Sequence, residues 1–464
     1  MHPSPSRVWT RTKSARRASI SYCGGIIYAK SQHHMGYLPS IELSTNLELA
    51  RVGIWLDIVQ DNRVVLVCKM PETVIRALSK GAGASLIVST VQTGSFKLLC
   101  LALKVEDELE SPFAASMLKS MPEEKELLCH VLSSGSFALH CINELNHAVL
   151  SISCTLPAQE ARAASNALAR SDHWLLTPES APAIRGREFL EVADLALREF
   201  AKYIYRKSDA PIPADSQVAA HLPLALEVWK SIEIFEVSPT LAAGPFHIDD
   251  SKEGGKLERG LQTCLDEGFP GCTFVSPTVL ENSKARELTD VLGFDDGFVC
   301  LVEAKALAVL TVDGSRISAR RTANVRKDIK KGLGQLKGAA NNVRAGTPLL
   351  AADGTPIEIT NRDTSIVHAI VLLSEMYHAV DWKAVAKEVV EMTEKHRSQT
   401  MFHVMDLSEL KSMATRCRDG EHFSERLLQR WCHIKERGTA YIRALTLPDE
   451  LLEGVGDDEG STLS

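Results

Sequence analysis

The sequence has no CxxC pair among its 11 cysteines and no run approaching the roughly 18 apolar residues of a membrane-spanning helix. Scattered cysteines argue against a disulfide framework or a ribbon-type zinc site and fit a reducing compartment, so a cytoplasmic location is expected. No apolar segment follows the basic start, as a secretory signal requires. Residues 1–41 contain no acid but carry Arg7, Arg11, Lys13, Arg16, Arg17 and Lys30 among many serines. Such a composition reads as a disordered or targeting-like extension over 1–40, with Met35 as an alternative start. There is no internal repeat. There is no P-loop either, because Gly254-Gly255-Lys256 lacks a glycine at position 250 and is followed by Leu257.

What is present is an ordinary globular balance, 45% hydrophobic and 24% charged over 464 residues. That length exceeds one core, so two main domains and a connector are expected. The formal net charge is −7. Any polyanion must therefore be held by a local basic patch rather than by the field of the whole molecule.

Residues 41–155 read as an α+β module on a largely antiparallel sheet, with strands at 63–69, 85–90, 97–105, 126–132, 136–142 and 148–154. The module carries no catalytic motif and suggests a recognition role, a protein partner or a homo-oligomer contact. Cys129-His130 and His140-Cys141 flank a Ser-Ser-Gly-Ser turn in it, but adjacent strand residues point to opposite faces, which argues against a shared zinc. Residues 156–245 read as a helical connector, with helices at 159–170, 187–206 and 218–232. The second domain, 246–445, alternates helices with strands: helix 256–266, strand 272–276, a hairpin at Asp296-Gly297, helix 324–344, strand 365–373, helix 382–396, strand 402–405, then helices. This order predicts an α/β fold with a mixed sheet covered on both faces. Taken alone, residues from about 240 to 445 are expected to keep the catalytic parts. The acidic tail, 446–464, reads as disordered.

The stretch from Glu287 to Lys305 carries the chemistry. Asp296-Gly297 between alternating apolar arms is a two-residue hairpin signal, with positive φ expected at both positions. In that register Asp290 stands opposite Glu303, and Lys305 shares the face of Glu303. Two carboxylates and an ammonium then converge beside Leu292, Leu301 and Val302. So much charge in apolar surroundings is costly unless a cation joins it. Hard oxygen donors suit Mg²⁺ or Mn²⁺, which share their coordination with substrate phosphate. The implied reaction is phosphodiester hydrolysis.

These residues resemble the PD-(D/E)xK, or restriction-endonuclease-like, nuclease superfamily, over roughly 100 residues from Leu257 onward. The resemblance implies that Asp290, Glu303 and Ala304 are the metal positions and that Lys305 belongs to the catalytic set. It also implies a glutamate from the preceding helix, best matched by Glu258, and a glutamine from the following helix, matched by Gln335. Thr289 stands where a proline is common, and Gly332, Gly334 and Gly338 interrupt the helix pattern around Gln335.

Residues 312–346 hold nine Lys and Arg residues against Asp313 and Asp328. Val325, Ile329, Leu333, Leu336, Ala340 and Val343 recur at helical spacing within them, leaving Arg326, Lys327, Lys330, Lys331 and Lys337 as a basic ridge for nucleic acid. The reading is a Mg²⁺-dependent deoxyribonuclease of repair, restriction or defence, without membrane association. A catalytically inactive nucleic-acid-binding protein of the same fold is the alternative.

Overall fold

The computed structural model describes residues 40–59, 63–93, 96–106, 113–119, 122–171, 187–204, 219–228, 253–269, 271–281, 284–305, 318–376, 380–396 and 399–441. The basic extension and the acidic tail read from the sequence lie outside these residues. The chain is a mixed α/β protein, and no helix among the described residues is long and apolar enough to cross a membrane.

The amino-terminal strands are β1 (Gly53–Ile58), β2 (Val64–Lys69), β3 (Gly83–Thr93), β4 (Phe96–Glu106), β5 (Phe113–Lys119), β6 (Ser136–Ile142), β7 (Ala148–Thr155) and β8 (Ala219–Val228). They form one eight-stranded sheet in the order β1-β2-β6-β7-β8-β3-β4-β5. Only β2 and β6 run parallel. The sheet curls until its edges meet, with Ile54 N 3.2 Å from Met117 Sδ. Helices α2 (Glu72–Ser79), α3 (Pro122–Ser134) and α4 (Ala158–Arg170) share its main core. On the other side, α1 (Ile41–Leu49) and α5 (Arg187–Ile204) cover smaller apolar patches.

Two sequence expectations fail here. Residues 126–132, read as a strand, lie in α3. Pro122 opens that helix, Glu123 and Glu124 complement its dipole, and Leu128, Val131 and Leu132 are buried at helical spacing. Cys129-His130 therefore sits on a helix, not across a hairpin from His140-Cys141. Residues 218–232, read as a helix, contain β8 instead, which pairs with both β3 and β7. Its burial alternates, with Leu222 and Leu224 inside and His221, Pro223 and Ala225 outside. Pro223 forbids a helix interior and lies beyond the last β7 pair, Thr155 with Ala225, where only β3 flanks the strand. The expected helical connector thus supplies a strand to the amino-terminal sheet.

The carboxy-terminal sheet has five strands, β9 (Thr273–Val275), β12 (Val291–Asp295), β13 (Phe298–Lys305), β16 (Ile366–Leu373) and β17 (Thr400–Asp406), in the order β17-β16-β13-β12-β9. Strands β13, β16 and β17 are parallel; β12 and β9 continue antiparallel. On one face lie α7 (Ser318–Arg344) and α8 (Trp382–Lys395), on the other α6 (Glu253–Gly268) and α9 (Leu407–Thr415), while α10 (Gly420–Arg437) passes the β17 edge and contributes Phe423 and Leu427 to one core and Ile434 to the other. Buried between two layers, β16 is a nearly unbroken apolar run. At the outer strand, Phe402 N–H donates to Thr393 Oγ1 at 3.1 Å and Val404 O accepts from Arg430 Nη2 at 2.7 Å. A small four-stranded sheet of β10 (Thr278–Glu281), β11 (Lys284–Glu287), β14 (Leu349–Leu350) and β15 (Pro356–Ile357) was not foreseen.

Candidate active site

The β12–β13 hairpin pairs Val291 with Val302, Leu292 with Leu301 and Asp295 with Phe298, the register that sets Asp290 opposite Glu303. The turn departs from expectation. Gly297 has φ +92°, whereas Asp296 is not among the positive-φ residues, so glycine is needed only at the second central position. Asp296 instead donates its N–H to Asp295 Oδ1 at 2.8 Å and accepts from Thr360 Oγ1 at 3.2 Å, a local network compatible with ordinary φ.

The backbone ladder stops at Val291, and side chains take over where it ends. Thr289 Oγ1 donates to Val302 O at 2.7 Å, and Asp290 Oδ2 accepts from Ala304 N–H at 2.6 Å. The chain can therefore diverge from β13 while Asp290 stays against it. Thr289, which occupies the position where proline is common in the resembled family, is 2% exposed and ties the strand down through its hydroxyl.

Glu303 and Lys305 project from β13 to the side covered by α7. Glu303 is 4% exposed, and its Oε1 accepts from Lys305 Nζ at 2.6 Å. Lys305 Nζ also donates to Gln335 Oε1 at 3.2 Å, so α7 reaches the same point. Helix α7 runs unbroken through its three glycines. Gly332 explains one of them: a Cβ there would lie 3.0 Å from Val371 Cγ2 and 3.3 Å from Lys305 Cε. The missing side chain lets the helix approach the sheet where the lysine stem passes.

Burial, and then the neighbouring Glu303 carboxylate, push Asp290 up from 3.8 to about 6. The Ala304 N–H and Lys305 oppose that shift, and Glu258 on α6 adds to it. The structure thus brings Asp290, Glu303, Lys305 and Gln335 together, with Glu258 near enough for its charge to act on Asp290. Among the described residues no group of three or more His, Cys, Asp or Glu side chains is arranged around a metal position. The two hard carboxylates that do converge fit Mg²⁺ or Mn²⁺, which commonly take only one or two protein carboxylates and keep several waters.

All six apolar positions expected along α7 are buried, and Arg326, Lys327, Lys330, Lys331 and Lys337 are exposed. Arg344 is committed elsewhere, donating to the carbonyls of Arg362 and Asp363. Arg316 lies outside the described residues. The supporting roles of Thr289 and Gly332 were missed from sequence, although a glycine facing the strand of an ExK triplet is a usable sign of close approach. No protein-family model, curated protein or solved structure matches the chain.

Proposed function

We propose that the chain is a Mg²⁺- or Mn²⁺-dependent nuclease, hydrolysing phosphodiester bonds in DNA, with a restriction-endonuclease-like carboxy-terminal domain. One observation carries the reading: Asp290, Glu303 and Lys305 converge at the end of a hairpin, two carboxylates with one ammonium among the described residues. Support comes also from the order of parts. A helix with Glu258 precedes the strand headed by Asp290, the ExK strand follows, and the next helix carries Gln335 and the basic ridge.

Asp290 and Glu303 are the residues that would hold the cation. When bound, it supplies a water of lowered pKa and neutralises charge building on the phosphate. Lys305, steadied by Glu303 and Gln335, orients the water for attack on phosphorus as the bond to the leaving oxygen breaks. The exposed cations of α7 grip flanking phosphates.

A donor set of two carboxylates among the described residues favours a second reading, a nucleic-acid-binding protein without turnover. Incubating the purified protein with plasmid, linear duplex, single-stranded DNA and RNA, in Mg²⁺, Mn²⁺ or EDTA, separates the two. Cation-dependent cleavage supports the nuclease. Binding without cleavage in any of these mixtures leaves the second reading.

A further inference from the structure

The two large sheets meet along a buried polar seam beside the site. The last residues of β13, β16 and β17, namely Lys305, Leu373 and Asp406, form one row at the carboxyl edge. With neighbouring strands about 4.8 Å apart, the backbone of Asp406 stands about 10 Å from that of Lys305. Asp406 also caps α9, accepting from Glu409 N–H at 2.8 Å. Arg51, from the amino-terminal module, grips this cap. Its Nη2 lies 3.1 and 3.3 Å from the two Asp406 oxygens, and its carbonyl accepts from Ser408 Oγ at 2.6 Å. Glu409 is held in turn by Arg430, at 3.0 Å from each carboxylate oxygen.

Two further anchors flank the first. Thr73, in α2, donates its hydroxyl to Glu375 Oε2 at 2.7 Å. Glu375 is 7% exposed and lies two residues past the row. The turn between β6 and β7 lays Leu145 on Gly260 of α6, where a Cβ would lie 2.9 Å from Leu145 Cδ1. Gly260 is two residues from Glu258. The module therefore grips α6, whose Glu258 acts on Asp290, the end of β16, which pairs with the Lys305 strand, and α9, which follows the outer strand of the same row.

We infer that the eight-stranded module is a positioning part of the catalytic edge: Arg51, Thr73 and Leu145 hold these three elements where Glu258 and Lys305 face Asp290 and Glu303. None of the three touches the reacting atoms. Their effect on turnover rests on the nuclease reading, whereas the docking is measurable without it. A fragment from about 240 to 445 keeps the catalytic side chains but loses every anchor, which argues against its expected self-sufficiency.

The test uses the full chain with Thr73→Val, Thr73→Ser, Arg51→Ala and Arg51→Lys. Hydrogen–deuterium exchange is followed over 253–268, 298–305 and 371–376, alongside steady-state cleavage of linear DNA in Mg²⁺. Thr73→Val and Arg51→Ala should speed exchange in those segments and leave the eight-stranded core unchanged. They should also lower kcat by up to about 100-fold while KM stays within about twofold. Thr73→Ser and Arg51→Lys should restore much of both. Arg51→Ala leaves the buried Asp406 carboxylate without its guanidinium and could unfold the chain; Thr73→Val, nearly isosteric, keeps the question open to measurement. Unchanged exchange in the catalytic segments would overturn the inference, as would faster exchange with undiminished kcat. If the unmodified chain cleaves nothing, the nuclease reading falls, and the exchange result alone then supports or overturns the docking.

Discussion

Asp290 with Glu303 and Asp406 with Glu409 are both pairs of carboxylates at the carboxyl edge of the five-stranded sheet, but their surroundings differ. In the seam two guanidinium groups, Arg51 and Arg430, face the two carboxylates. Burial pushes Glu409 up, yet Arg430 and Arg51 outweigh it and hold the group below its ordinary range. Asp406, nearer the balance point, stays above its ordinary range because burial outweighs Arg51. At the site Lys305 is the one ammonium among the described residues that faces Asp290 and Glu303, Glu258 adds its charge, and Asp290 rises to about 6. The seam has a guanidinium from within the chain for each of its carboxylates, although burial still outweighs Arg51 at Asp406. Among the described residues the site has one carboxylate more than it has ammonium groups, an excess that a cation from outside would remove under the proposed nuclease reading.

The largest expected effect breaks the site. Asp290→Ala or Glu303→Ala should abolish cation-dependent cleavage, removing several kcal/mol of transition-state stabilisation, about 1.4 kcal/mol for each tenfold in rate. Folding and nucleic-acid binding should persist, and Lys305→Ala should lose cleavage but keep cation binding. Calorimetric titration with Mn²⁺ checks the last point. The second effect breaks the seam: Arg430→Met strands the Glu409 carboxylate, 7% exposed, at a cost of about 3–5 kcal/mol. Urea unfolding should show it. The opposite sign is expected at the site. Because the folded-state pKa of Asp290 is raised, stability is lost as pH rises through about 6, and Asp290→Asn in EDTA at pH 7.5 should raise the urea midpoint. A lowered midpoint would mean that the carboxylate is already compensated.

Two smaller effects sharpen the contrast. Reversing the charge of Lys327, Lys330 and Lys331 should flatten the salt dependence of duplex binding by roughly 0.9 in log–log slope for each phosphate the helix no longer neutralises. An unchanged slope places the polyanion elsewhere. Near the seam, buried Lys69 is lowered to about 7 by burial and then by Lys411, while burial and then Glu72 raise Glu144. Lys69 therefore costs stability as pH falls from 10.5 towards 7, and Glu144 costs stability as pH rises from the ordinary carboxyl range. The pH–stability curve should dip near neutrality, and Glu144→Gln should remove its acid-side slope. A flat curve in both proteins would show that neither group is held out of its ordinary range.

Much of the site was legible because its signals are local. An Asp-Gly pair between alternating arms marks a hairpin, and a hairpin dictates which residues face each other. The apolar stripe of α7 has helical period, and β16 is an unmistakable apolar run. Legibility failed where local pattern and structure diverge. Residues 126–132 are a short apolar run that either period can claim, and only Pro122 and the acids behind it mark a helix start. Residues 219–228 alternate and carry Pro223, signs of a strand that the helix read over 218–232 did not weigh. Strands of two to four residues in the small sheet are too short to show a period. The seam was invisible for another reason: Arg51 and Asp406 are separated by 355 positions, and nothing near either residue announces the other.

The capped outer face of β17 bears on self-association. An open strand edge offers a row of backbone donors and acceptors on which a second copy can continue the sheet. Here Thr393 already accepts from Phe402 N–H, and Arg430 already donates to Val404 O. A neighbour adding a strand would have to evict a guanidinium that also neutralises Glu409, so extension of the sheet by a second copy at this edge is disfavoured.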